Sequence, residues 1–167
     1  MSEQQRKILI DTNVWVDYFL PWRTHSQEAF DLISYALAHD CVLLYAVHSL
    51  KDVFYLAESA FKRKTREQTG GITESQALAA TETAWGCIAS IRENATAIGA
   101  DESDAWLACK YRSINNDLED NFIMAAARRA QVDYLATSDT SLLHKATVEA
   151  HTPNDALSLM RMEEEAS

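Results

Sequence analysis

Apolar positions along this chain fall in short runs separated by longer stretches with helical spacing. Ile8-Leu9-Ile10, within residues 7–11, is the first run, and residues 42–46 hold the second. Weaker runs cover residues 96–98, ending at Gly99, then 132–137 and 147–151. Continuous apolar runs this short predict strands buried on both faces of a parallel sheet. Between them the period changes. Residues 12–20 form a short helical stretch stopped by Pro21, and residues 26–38 show helical spacing through Ala29, Phe30, Ile33 and Leu37. Residues 49–66 form a long helical stretch with apolar Leu50, Val53, Phe54, Leu56, Ala57 and Phe61, and Gly70-Gly71 ends that unit. The pattern Thr73-Glu74-Ser75-Gln76 predicts a capped helix start, with the helix continuing to about residue 94. Helices are also predicted over 102–113, 120–130, 141–145 and 153–160. Alternating strand and helix predict an α/β fold with a central parallel sheet of four or five strands and helices on both faces. No repeat or composition break divides the chain. A single domain over residues 1–167 is expected, with its core at about 7–159 and Glu163-Glu164-Glu165 as a short solvated acidic tail.

The chemistry lies in acids at the junctions of this pattern. Asp11 directly follows the first apolar run, and a carboxylate there sits at the carboxyl edge of the sheet, where open α/β folds place their ligands. Asp52, Asp120 and Asp139 fall at similar junctions. Each has an ordinary reading. Asp11, Asp117 and Asp139 suit helix N-caps, Asp52 fits a capping box opened by Ser49, and Asp120 suits the positive end of a helix. Taken together they converge in a doubly wound sheet. Such a cluster repels itself and raises its own pKa values unless hard divalent cations with all-oxygen ligands relieve it.

Composition narrows the rest. The net charge is −10, the wrong sign for holding nucleic acid by bulk electrostatics. Local basic clusters at Lys62-Arg63-Lys64 with Arg66, and at Arg128-Arg129, are the candidates for contacting a phosphate backbone, against the plainer reading of solvated helix faces. Trp15, Trp22, Trp85 and Trp106 suit base stacking or, more plainly, core packing and a dimer surface. Cys41, Cys87 and Cys109 form no pair with metal or redox spacing and read as small core residues of a reducing compartment. No apolar run approaches the roughly 20 residues of a membrane span, and Met1 to Lys7 lacks a signal-peptide core. A cytoplasmic protein without membrane association is expected. The histidines are dispersed and suggest no general base.

Four blocks, in order, resemble the PIN domain, a family of small metal-dependent ribonucleases. Ile8-Leu9-Ile10-Asp11-Thr12-Asn13-Val14 resembles its first strand and first acid. The segment from Ala46 to Leu56 looks like the helix bearing its second acid, with Asp52 where many members carry Glu. Asp117-Leu118-Glu119-Asp120-Asn121 opens a third block similar to the family's. Asp133 to Asp139 resembles the closing strand and acid. The resemblance implies that Asp11, Asp52, Asp120 and Asp139 hold Mg²⁺ or Mn²⁺ and catalyse hydrolysis of an RNA phosphodiester. Asp117, Thr12, Asn13 and Ser138 would be auxiliary. Asp52 reaches about one carbon less far than Glu, which implies a tighter or water-bridged pocket. Asn121 replaces a usually small apolar residue and is expected to face solvent. The implied role is a ribonuclease toxin of a type II toxin–antitoxin pair of the VapC type, with an RNA substrate, an antitoxin protein as partner, and a homodimeric state. Two alternatives stand beside it. One is an inactive PIN-like module that binds protein or RNA. The other is an aspartyl-phosphate hydrolase, whose usual second Asp two residues after the first is here Asn13.

Overall fold

The computed structural model describes residues 5–166. The first four residues of the N-terminus lie outside them, as does the last residue of the expected 1–167 domain. Five strands form one all-parallel sheet in the order β3-β2-β1-β4-β5: β1 (Lys7–Ile10), β2 (Val42–Ala46), β3 (Thr96–Ile98), β4 (Tyr134–Ala136) and β5 (Ala150–His151). The helices are α1 (Thr12–Phe19), α2 (Ser26–Ala38), α3 (Ser49–Thr69), α4 (Glu74–Asn94), α5 (Glu102–Lys110), α6 (Leu118–Ala130), α7 (Thr140–Lys145) and α8 (Pro153–Glu165). The predicted parallel α/β sheet with helices on both faces is therefore present.

Strand alternation divides the core. Ile8 and Ile10 point into one apolar layer, with Leu43, Tyr45, Tyr134 and Ala136 and the buried faces of α1, α2 and α8. Leu9 points into the other, with Leu44, Ala46 and Leu135 against α6. The period-2 rule thus shows inside a run that is apolar throughout, because both faces of the sheet are covered. A smaller contact of Ala57, Ala84 and Cys87 joins α3 to α4. Helix α4 begins as predicted, with a capping box between Thr73 and Gln76. Helix α3 ends at Gly70, whose φ of 74° is the left-handed conformation that glycine adopts without steric cost.

Three expectations need correction. Glu163-Glu164-Glu165 is not a free tail. It is the last turn of α8, where Glu163 accepts from Tyr134 Oη at 2.7 Å and pairs with Arg6, and Glu164 pairs with Tyr35. The chain end is held because α8 packs on α2 and carries these acids to the sheet's opposite edge. Asn121 does not face solvent. It is 2% exposed, and its Nδ2 donates to Asn115 O at 2.9 Å. Cys87 is buried and Cys41 half-buried, but Cys109 is exposed, on the outer side of α5. Trp22, Trp85 and Trp106 are exposed, and of the four indoles Trp15 alone is a core residue. No helix among the described residues is long and apolar enough to cross a membrane.

Leu9 is fully buried on the central strand. Leu9→Ala is expected to lower unfolding free energy by about 3 kcal/mol. Urea denaturation followed by circular dichroism checks this, and a loss below about 1 kcal/mol would contradict the packing described.

Candidate functional site

The chain leaves β1 toward β2 on one side of the sheet and later returns to β4 on the other. That reversal opens a crevice at the carboxyl edge beside β1. Helices α1 and α3 begin there because they follow β1 and β2, and α6 begins there because it runs back to the start of β4. A cleft of about 400 Å³ lies at this point, lined by six carboxylates: Asp11, Asp52, Asp117, Glu119, Asp120 and Asp139. Thr12, Asn13, Tyr55 and Leu56 complete its wall. The structure thus gathers the four predicted acids and Asp117, with the auxiliary residues Thr12 and Asn13. Glu119 is the functional candidate that the sequence reading missed. It stands one residue before Asp120 and accepts from Thr12 Oγ1 at 3.4 Å.

Most of these acids also do local work. Asp11 caps α1 through Thr12 N at 2.7 Å. Asp117 caps α6 through Glu119 N at 2.9 Å and Asp120 N at 3.2 Å. Asp139 caps α7 through Ser141 N at 2.7 Å and Leu142 N at 3.0 Å. The predicted capping box at Ser49 is absent: His48 holds the cap position and the buried Ser49 hydroxyl has no partner among the described residues. Asp52 is instead paired with Lys51 Nζ at 2.7 Å. Two further residues fix the acids in place. Thr137 Oγ1 donates to Asp11 Oδ2 at 2.8 Å and accepts from Asp139 N at 3.1 Å, so one hydroxyl ties the ends of β1 and β4 together. Asn115, 3% exposed, donates to Asp120 Oδ2 at 2.9 Å. Both were illegible in sequence, since a Thr at a strand end and an Asn in a loop are ordinary there.

The electrostatics follow from this crowding. Burial pushes the Asp11 carboxyl up from 3.8 to about 6, against the hydrogen bonds from Thr137 and Thr12, and the charges of Asp120 and Glu119 push it further. Desolvation likewise raises Glu119, with Asp52 and Asp117 adding repulsion, and raises Asp120, with Asp117 and Asp139 adding theirs. The six acids therefore feel one another as one negative field. Lys51 and Lys145 offset part of it.

The remaining predicted residues are placed elsewhere. Ser138 does not line the cleft; its hydroxyl is buried and has no partner among the described residues. None of Lys62, Arg63, Lys64, Arg66, Arg128 and Arg129 lines it either. They sit beyond the acids on α3 and α6, about 15–21 Å along α3 from Asp52 and about 12–14 Å along α6 from Asp120 at a rise of 1.5 Å per residue. Lys62 is paired with Glu58 at 2.8 Å, and Arg129 with Asp101 at 2.8 Å and Asp104 at 2.6 Å. Helices that start at the cleft necessarily carry their last turns away from it.

The donor set fits a hard divalent cation, because all its charged atoms are carboxylate oxygens. Among the described residues, however, no three acidic, His or Cys side chains are already drawn together tightly enough to enclose an ion. Lys51, Asn115 and the α7 amides each engage one oxygen of Asp52, Asp120 and Asp139, and mutual repulsion favours such separate partners.

A PIN domain family model matches residues 7–141, and the chain belongs to the PIN domain family. Solved structures share the fold. FitAcB from Neisseria gonorrhoeae aligns with a TM-score of 0.61 at 18% identity, over 87% of this chain and 97% of that one. VapBC2 from Rickettsia felis, bound to a DNA fragment from its promoter, aligns with a TM-score of 0.60 at 11% identity, over 87% and 98%. VapC20 from Mycobacterium tuberculosis, a Sarcin-Ricin loop cleaving toxin, aligns with a TM-score of 0.56 at 16% identity, over 85% and 97%. No curated protein sequence matches the chain.

The raised Asp11 pKa sets a pH dependence of stability. The folded chain binds this proton more tightly than the unfolded chain, so the contribution to stability falls as pH rises from about 4 to about 6 and stays low above. A shift of this size corresponds to about 3 kcal/mol. Asp11→Asn removes the buried charge. The variant is expected to be more stable than the wild type at about pH 7.5, with the gap shrinking at about pH 4.5, by urea unfolding without added metal. A gap independent of pH would show that the Asp11 charge costs the fold nothing.

Proposed function

We propose that this chain is a metal-dependent endoribonuclease, working as one PIN-like domain and as the toxin of a type II toxin–antitoxin pair. The observation that carries the reading is the convergence of Asp11, Asp52, Asp120 and Asp139, with Asp117 and Glu119, in one cleft at the switch point of the sheet. Asp11, Asp52, Glu119 and Asp120 would hold Mg²⁺ or Mn²⁺, and Asp139 would complete the set. Bound divalent cations supply Lewis-acid stabilisation of the charge that develops in phosphodiester hydrolysis. The chain's own residues do the positioning. Thr137 fixes the Asp11 carboxylate, Asn115 fixes Asp120, and Thr12 with Asn13 presents polar atoms to a scissile phosphate. Lys51 and Lys145 temper repulsion between the cleft and that phosphate. The toxin role, a cytoplasmic location, an antitoxin partner and a homodimeric state rest on family membership and on the VapBC and FitAcB likeness in fold.

A second reading, a PIN-like module without catalysis, draws on one observation. Among the described residues, with Lys51 on Asp52 and the other acids separately bonded, no three side chains close around an ion. Metal binding separates the two readings. Calorimetric titration with Mn²⁺ is expected to show binding to the wild type. Saturation should raise Tm, since an ion at 100 times its Kd adds about 2.7 kcal/mol to the folded state. Absence of binding at millimolar Mn²⁺ supports the inactive module.

Activity is the second test. Replacing mere outer partners of metal ligands costs about 10–100-fold, so Asp11→Asn is expected to lower Mn²⁺-dependent RNA cleavage by at least roughly a hundred-fold. Equal rates for the variant and the wild type would place the activity at another site.

A further inference from the structure

One wall of the acidic cleft is not acidic. Tyr55, 62% exposed, and Leu56, 46% exposed, line it from α3. Behind Tyr55 lies Phe54, edge-on at 5.3 Å between ring centroids, and Phe54 in turn stands 4.8 Å from Trp85 on α4. Trp85 is 57% exposed. Three rings in contact thus make a shelf from the cleft wall on α3 to α4, with Tyr55 and Trp85 exposed and Phe54 half-buried between them. Lys51 flanks the shelf one helical turn before Tyr55, with its side chain 68% exposed and its Nζ 2.7 Å from Asp52 Oδ1.

This juxtaposition puts a cation, an exposed ring and the acids within the reach of one nucleotide. The chain carries a net charge of −10, and its other basic clusters lie away from the cleft. Bulk electrostatics cannot then hold an RNA here. Stacking on a ring face can, because it needs no net positive charge and every base offers a π-face. A paired base keeps its faces inside the helix, so such a shelf selects unpaired nucleotides.

We propose that Tyr55, backed by Phe54 and Trp85, is the stacking platform for an unpaired nucleobase beside the scissile phosphate, with Lys51 on a flanking phosphate. This inference rests on the ribonuclease reading above, in which neither Tyr55 nor Trp85 holds metal.

The test uses the full chain with Mn²⁺, and two readouts. One is the steady-state cleavage of single-stranded RNA. The other is the fluorescence of a short, cleavage-resistant single-stranded oligonucleotide carrying 2-aminopurine, which is quenched on stacking. Tyr55→Ala is expected to raise KM roughly ten-fold with kcat within about two-fold, and to abolish the quenching. Tyr55→Phe keeps the ring and should match the wild type in both. Because Tyr55 is exposed, Tm should stay within about 2 °C of the wild type, and Trp85→Ala gives an independent second variant with weakened quenching. An active wild type whose KM and quenching are unmoved by Tyr55→Ala overturns the platform and leaves the nuclease reading standing. Quenching that depends on Tyr55 in a wild type that cleaves nothing keeps the platform and removes the nuclease reading. Absence of both removes both. If Tyr55→Ala converts a dimer to a monomer in light scattering with quenching unchanged, the shelf is covered by a second copy and the platform is overturned.

Discussion

Asp11 Oδ2 accepts a hydrogen bond from Thr137 Oγ1 at 2.8 Å, and this contact joins the ends of the two strands that flank the switch point. The carboxylate is 5% exposed. A charge buried that deeply is costly unless donors or a cation answer it. Here one oxygen takes the Thr137 hydroxyl and the other the first amide of α1. The same hydroxyl receives Asp139 N, so the turn after β4 is aligned by the group that steadies Asp11. The cleft is organised around this one buried charge.

The remaining acids show how capping and site-building coincide. Asp117 and Asp139 each satisfy two amides that a helix start leaves unpaired. In each of them the same oxygen, Oδ1, accepts both amides. The helix ends also bring positive partial charge to the place where the carboxylates crowd. That offset is partial, since Asp11, Glu119 and Asp120 still have raised pKa values. The protein stores repulsion at the site while its core, sealed by Ile8, Leu9 and Ile10, stays apolar on both faces of the sheet.

Family membership and geometry meet at different depths. The PIN domain match spans residues 7–141 and so includes the strand-end acids and α6. It ends before β5 and α8, which close the sheet edge and anchor Glu163 and Glu164 on Tyr134, Arg6 and Tyr35. The likeness to FitAcB, VapBC2 and VapC20, at 11–18% identity, is a likeness of fold. Around the cleft this chain places Asp52 tied to Lys51, a buried Asn121 that donates to the Asn115 carbonyl, and the rings of Tyr55, Phe54 and Trp85 in contact.

Short apolar runs and helical spacing were enough to read the parallel sheet, because burial on both faces demands continuous apolar strands. Asp11, Asp52, Asp120 and Asp139 were legible because each stands where a strand ends or a helix begins, a position set by local pattern. Glu119 and Thr137 were not, because their partners lie 107 and 126 residues away and only packing chooses them, and Asn115 was not, because an Asn in a loop is ordinary there. The placing of the basic clusters outside the cleft lining was not legible either: sequence shows charge on a helix but not which end of that helix meets the cleft. The chain alone thus determined its elements and the acids at their junctions. The tertiary structure decided which of those groups share one cleft, because that depends on strand order and helix direction, which no local pattern contains.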